Sequence, residues 1–193
     1  MSDEINKVYD TKGYSESLEK LVAMSEKEYY VQLVDINRHQ VVVAKILLWL
    51  AVVLLGFDIA LIDWSYNKVF ESFDLIKIIT PCYIFLPLSI NTSVIAFSFA
   101  GLAIPAFGGY DLLYKNSWAD YSNEAYDNFI NKEDLVYVNT LNNLLSNLDS
   151  ACSKGNLTNA SRGAKLRTSS IFIIISAILS GCGFIAFSFN YYL

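Results

Sequence analysis

Two stretches of this chain carry no charged side chain, and their length decides what it can fold into. From Ile78 to Tyr110, 33 residues pass without Asp, Glu, Lys or Arg, and from Thr168 to Leu193 another 26 do so. A helix crossing the hydrocarbon core of a bilayer needs about 20 apolar residues at 1.5 Å each, and both stretches supply them. A soluble chain of 193 residues would have to bury both runs on every side, which a domain of that volume hardly permits. The hydrophobic share of 54% and the mean hydropathy of +0.36 would fit a greasy soluble domain; the uneven distribution does not. The expected class is all-α: a polytopic transmembrane helical protein with three spans, four being the alternative, and a helical cytoplasmic region.

The first of the expected spans runs from about Val41 to Ile62. Lys45 near its start can reach the headgroups, while Trp49, Trp64 and Tyr66 are placed as interfacial aromatics are. Residues 63–77 read as a short outer loop. The 33-residue uncharged stretch would make a straight helix of about 50 Å, longer than a core of about 30 Å. It holds Pro81, Pro87 and Pro105 and the polar cluster from Ser89 to Ser93. It therefore reads either as one kinked span or as two short ones, about 75–90 and 94–110, turning at Asn91-Thr92. Basic residues decide in favour of one. The N-terminal 40 residues carry five Lys/Arg and the later polar region six, with Arg162, Lys165 and Arg167 just before the last span. By the positive-inside tendency both polar regions lie in the cytoplasm, which requires an even number of crossings between them. The expected location is the cell inner membrane, multi-pass, with the N-terminus in the cytoplasm.

Four segments follow: 1–40, an N-terminal helical segment; 41–110, the first membrane helices with their outer loop; 111–167, a cytoplasmic helical region; and 168–193, the C-terminal span. No Gly or Pro interrupts Ser15 to Leu55, so one long helix, or two joined near Asn37, enters the membrane. In the later region Asn131 and Asp134 can cap a helix start. From there Leu135, Val138, Leu141, Leu145, Leu148 and Cys152 share a face, with Gly155 as its expected end. A shorter helix with Ala125, Phe129 and Ile130 precedes it, and 155–165 reads as a Gly/Asn/Ser linker. An apolar stripe in water needs a cover, so Leu135, Val138, Leu141, Leu145 and Leu148 are candidate partner-docking residues. Gly108-Gly109 reads as a hinge or helix end. Asn156 and Asn159 head formal glycosylation acceptors that face the wrong side of the expected topology.

An ionised carboxylate at the centre of a spanning helix costs about 2.5–3.5 kcal/mol on insertion scales, so Asp58 is the leading candidate functional residue. It is either a pore-facing or interface acid or an interfacial residue reaching water. Asn91, Thr92 and Ser93 join it as candidate pore or membrane polar residues. Ser176, Ala177, Ser180 and Gly181 are candidate helix-contact residues, because small side chains let helices approach closely in lipid; Ala96, Ala100, Gly101 and Ala103 read likewise. His39, the only histidine, sits beside Arg38 and reads as a headgroup contact, with pH sensing as the alternative. Cys82, Cys152 and Cys182 show no paired or metal-ligand spacing. Candidate serines such as Ser93 and Ser176 lack a histidine, and no zinc-protease or membrane-protease pattern occurs; neither an enzyme nor a cofactor or metal is expected. A net charge of −5 without a dense basic patch gives no nucleic-acid footprint.

In layout the chain resembles the SLATT family of small membrane effectors of bacterial anti-phage defence. The resemblance rests on Tyr29-Tyr30 through Asn37-Arg38-His39-Gln40 entering the first span, Gly101-Leu-Ala-Ile-Pro105 at the second exit, and the aromatic and acidic stretch from Trp118 to Leu135. It covers about residues 15–150, and the span at 168–190 departs from that family's two-span pattern. The membrane subunit of the Kiwa defence system has a similar layout with four spans. The resemblance implies an antiviral role. One form is an oligomeric gated pore or ion channel, a homo-oligomer such as a tetramer, that perturbs the membrane. The other is a membrane sensor or scaffold that docks a cytoplasmic effector or signal-producing protein. The lipid bilayer is the one partner that composition itself implies.

Overall fold

The structure is a computed structural model that describes residues 11–71, 75–104, 123, 126–127, 130–131 and 135–192. Its main elements are all helical. Helix α1 spans Thr11–Tyr30 and leads into a π-helical segment, Val31–Ile36; α2 spans Asn37–Glu71, α3 Leu75–Leu102 and α4 Val136–Tyr192. Among the described residues three helices are long and apolar enough to cross a membrane. The chain is a polytopic helical membrane protein.

Several expectations change here. The entry segment from Ser15 is two helices joined near Asn37, as one of the two expectations had it: six residues of π-helix, Val31–Ile36, lead into α2 at Asn37, a form that appears mostly as short bulges within α-helices. Residues 63–71, expected in the outer loop, continue α2, and α3 begins at Leu75. Helix α3 runs unbroken through Asn91-Thr92, so the turn of the four-span alternative is absent. Pro87 lies within that helix; neighbouring helices and local adjustment make proline tolerable in a span. The expected linker at 155–165 is helical, as part of α4. Gly155 ends nothing: a Cβ there would come within 3.0 Å of Gln32 Oε1, so the glycine leaves room for that buried glutamine. The Gly108-Gly109 hinge, Pro105, Asp134, Ala125 and Phe129 lie outside the described residues.

The chain divides into two compact units. The first comprises Met1–Ile36 and Tyr110–Thr158, the second Asn37–Gly109 and Asn159–Leu193. In the first unit α1 and the start of α4 run parallel. Tyr14 Oη accepts from Asn142 Nδ2 at 3.5 Å, the Ser25 carbonyl accepts from Cys152 Sγ at 3.8 Å, and Gln32 stands against Gly155. Leu18, Val22, Val138 and Leu148 are buried there. Tyr137 donates to Glu19, a bond that raises the phenol above its ordinary range. Burial, and then Glu28 and Asp149, push the Cys152 thiol up as well.

In the second unit α2, α3 and the later part of α4 form an up-down-up bundle. Contacts rise together along α2 and α4 (Phe57 with Phe184, Trp64 with Phe187 at 4.5 Å between ring centroids). They run in opposite order along α3 and α4 (Ser93 with Ser176, the Ala96 carbonyl with Ser169, the Leu102 carbonyl with Lys165). The inward positions alternate by three and four residues on every helix. On α2 they are 44, 47, 51, 54, 58, 61 and 65; on α3 they are 86, 89, 93, 96 and 100, with 103 just past its end; on α4 they are 166, 169, 173, 176, 180, 183 and 187. This is the seam of a heptad repeat, which keeps one face toward its neighbours along the whole length. Most inward residues are small or hydroxylated, while Ile46, Trp49, Val53, Ile59, Leu88, Val94, Ile174, Ile178 and Phe189 point outward and are exposed. Large apolar side chains outside and small ones within are what a lipid solvent selects, since close approach, not apolarity, holds helices together there.

Candidate functional site

Asp58 lies at the centre of this seam with no exposed surface, and so do Ser89, Ser93 and Ser176; Ser180 is nearly as enclosed. Each helix delivers its part through the heptad. Asp58 falls seven residues after Ala51 and fourteen after Ala44 on α2, while Ser89 and Ser93 on α3, and Ser176 and Ser180 on α4, occupy consecutive inward positions. At 1.5 Å per residue, Asp58 is roughly 20 Å along the helix from Lys45, and Ser180 roughly 20 Å from Arg167. The three helices thus bring their polar groups to one level.

The contacts are close. Asp58 Oδ1 accepts from Ser180 Oγ at 2.5 Å, and Asp58 Oδ2 lies 2.6 Å from Ser89 Oγ. Ser89 Oγ is also 2.8 Å from Ser176 Oγ, 2.8 Å from Ser180 Oγ and 3.0 Å from the Ser176 carbonyl oxygen. Ser176 Oγ reaches the Ser89 carbonyl at 3.2 Å and Ser93 Oγ at 2.5 Å. Every oxygen of the cluster therefore has a partner, the condition for burying polar groups in hydrocarbon. The arrangement can fix register, as a single polar residue on a heptad seam does, and it can hold or release a proton among its oxygens.

The other sequence candidates fall in different places. Ser93 belongs to the cluster. Asn91 is exposed, and Thr92 is half-buried with its hydroxyl on the Leu88 and Ser89 carbonyls. Ser176 and Ser180 are buried contact residues, whereas Ala177 is exposed and a Cβ on Gly181 would meet nothing within 4 Å. In the first unit Leu135 is exposed with φ at 72° and precedes α4, Leu141 and Leu145 are half-buried, and Val138 and Leu148 are buried. His39 is exposed. Among the described residues no group of three or more His, Cys, Asp or Glu side chains could hold a metal.

Three contributors escaped the sequence reading. Ser89 is the hub of the cluster, and Ser169 donates to the Ala96 carbonyl at 2.7 Å two turns away. Near the same unit's first residues Arg162, 4% exposed, donates to Asn37 Oδ1 at 3.0 Å, and Gln40 Nε2 donates to the Asn159 carbonyl at 2.9 Å. The heptad spacing of small residues would have found Ser89 and Ser169; Arg162 offered no signal beyond its charge.

No protein-family model, no curated protein and no solved structure matches this chain. The fold and site define its class by themselves: a polytopic helical membrane protein, with three helices of spanning length among the described residues and an aspartate sealed inside a serine-lined seam.

Proposed function

We propose that the protein is an oligomeric membrane protein that perturbs the bilayer as a gated pore, and that the seam around Asp58 belongs to its closed form. The observation that carries this reading is the polar seam itself. Asp58, Ser89, Ser93, Ser169, Ser176 and Ser180 are all buried on the inward faces of three membrane-length helices. Close approach alone would be served by small apolar residues, and parting the helices would present a row of oxygens to water and ions. An intramembrane ionisable residue is by default a functional one. The proposal places the chain in a bacterial inner membrane with its N-terminus in the cytoplasm, acting in defence against phage as the families it resembles do.

The test is ion or dye release from liposomes containing the purified protein, with and without Ser89→Ala and Ser176→Ala, which weaken the closed seam. Release that is low for the parent and several-fold higher for the variants is the expected result. Equal and background release from all of them, with insertion verified, would refute the pore.

A second reading, a membrane sensor or scaffold, draws on the first unit. Leu21, Met24, Ser25, Lys27, Glu28 and Val31 line an open groove of about 630 Å³, with Leu21 and Met24 well exposed. If this unit docks an effector, Met24→Asp abolishes co-purification of that effector while membrane insertion is retained.

A further inference from the structure

If Asp58 is ionised, Ser89 Oγ faces two acceptors with a single proton to give. Seven oxygen–oxygen contacts between 2.5 and 3.2 Å link Asp58, Ser89, Ser93, Ser176 and Ser180, and the four serines bring one hydroxyl proton each. Ser89 is where the shortage falls. A hydroxyl donates once and accepts twice, yet Ser89 Oγ has Asp58 Oδ2 at 2.6 Å on one side and the Ser176 carbonyl at 3.0 Å on another. Both are pure acceptors when Asp58 is ionised, and one proton cannot serve both. The remaining acceptor would then face the Ser89 oxygen with no hydrogen between them.

We propose that Asp58 is a proton-binding site, held within the membrane as a neutral carboxylic acid that donates to Ser89. The whole cluster then orders itself. Asp58 Oδ2–H donates to Ser89 Oγ, Ser89 O–H donates to the Ser176 carbonyl, and Ser180 O–H donates to Asp58 Oδ1. Ser93 O–H donates to Ser176 Oγ, whose own proton goes to Ser89. Each of the five protons has an acceptor at hydrogen-bond distance; Ser89 Oγ and Ser180 Oγ, 2.8 Å apart, both donate elsewhere and share no hydrogen.

The charge distribution points the same way. A buried carboxylate is kept ionised by a cation beside it, and among the described residues none is supplied at this depth. On α2 residues 46–57 are uncharged, and the flanking Lys45 and Asp63 are exposed. Residues 84–102 of α3 and 168–189 of α4 contain no charged residue, and the one titratable side chain there, Cys182, is exposed. Loss of the proton would place an uncompensated negative charge where all three spans meet, so the proton is one of the elements that hold the seam shut. This inference stands whether or not the seam ever conducts.

Infrared difference spectroscopy of the full chain in lipid nanodiscs, with carboxyl-¹³C aspartate as the label, tests it directly. A neutral acid shows a C=O stretching band well separated from carboxylate bands. At neutral pH the parent should show that band shifted by the label, and Asp58→Asn should lack it. The Asn amide offers one acceptor and one donor in the acid's place, which keeps this control foldable. Ser89→Ala, which removes the acceptor of the acid proton, should retain the band at a changed frequency. Carboxylate bands alone in the parent, or an acid band that survives Asp58→Asn, would overturn the proposal, and so would a band indifferent to Ser89→Ala.

Discussion

The two halves of the membrane bundle use one geometry with opposite chemistry. In one half Ala44, Ala51, Ala96, Ala100 and Ala103 meet, together with Leu47, Leu166 and Ile173. In the other, the same heptad positions one or two turns on hold Asp58, Ser89, Ser93, Ser176 and Ser180. Alanine and serine differ by one oxygen, so the helices approach similarly in both halves. What differs is what the approach secures. The alanine half gains contact that tolerates small sliding, because methyl groups have no direction. The serine half gains directional bonds that exist in one register only. The comparison separates adhesion from alignment, two tasks that sequence hydrophobicity lumps together.

The largest effect should come from breaking adhesion. Ala96→Leu forces a branched side chain into a fully enclosed position, and overpacking of this kind costs about 1–3 kcal/mol; a lowered unfolding midpoint in mild detergent would show it. Breaking alignment should cost less. Hydrogen bonds between membrane helices average about 0.6 kcal/mol and reach about 1.7, and Ser89→Ala, at the hub, should fall near the upper value. Ser169→Ala, which loses a single bond to the Ala96 carbonyl within the alanine half, should fall near the average. If Ser169→Ala destabilises more than Ser89→Ala, the division of tasks between the halves is wrong. A last contrast, which includes the smallest effect, belongs to a pair of glycines on α4. A Cβ on Gly183 would come within 2.9 Å of Leu86 Cδ2, whereas one on Gly181 meets nothing. Gly183→Ala should therefore lower stability by about 1 kcal/mol, at the light end of overpacking, and Gly181→Ala should leave it unchanged or slightly raised.

Much of the architecture could be read from the sequence because charge is expensive in lipid. The uncharged runs located the second and third spans, and Asp58 stood out as the one acid between Lys45 and Ile62. The seam was harder to see. Its inward residues are less greasy than its outward ones, so periodicity sought in apolar side chains finds the lipid face instead of the interior. Ser89 was hidden for a related reason. The run from Ser89 to Ser93 looks like a turn when polarity is taken as a sign of water, although only Ser89 and Ser93 face inward and Asn91 faces out. Residues 155–165 misled through composition. Gly155, Asn159 and Arg162 suggest a linker, but in helical spacing they meet Gln32, Gln40 and Asn37, respectively. Propensity yielded to packing there, as it does wherever tertiary contacts are specific. In the first unit, two members of the stripe from Val138 to Leu148, those two residues themselves, are buried.

The Asp58 contacts also impose an order on biogenesis. Ser89 follows the acid by 31 residues, but Ser180 follows it by 122. At synthesis rates of about 5–20 residues per second, the first span waits roughly 6–24 s for its last partner to be made. During that interval an aspartic acid must sit in or beside the bilayer with part of its final coordination missing. The ribosome and insertion machinery therefore handle an unfinished bundle whose least comfortable residue is made first and sealed last.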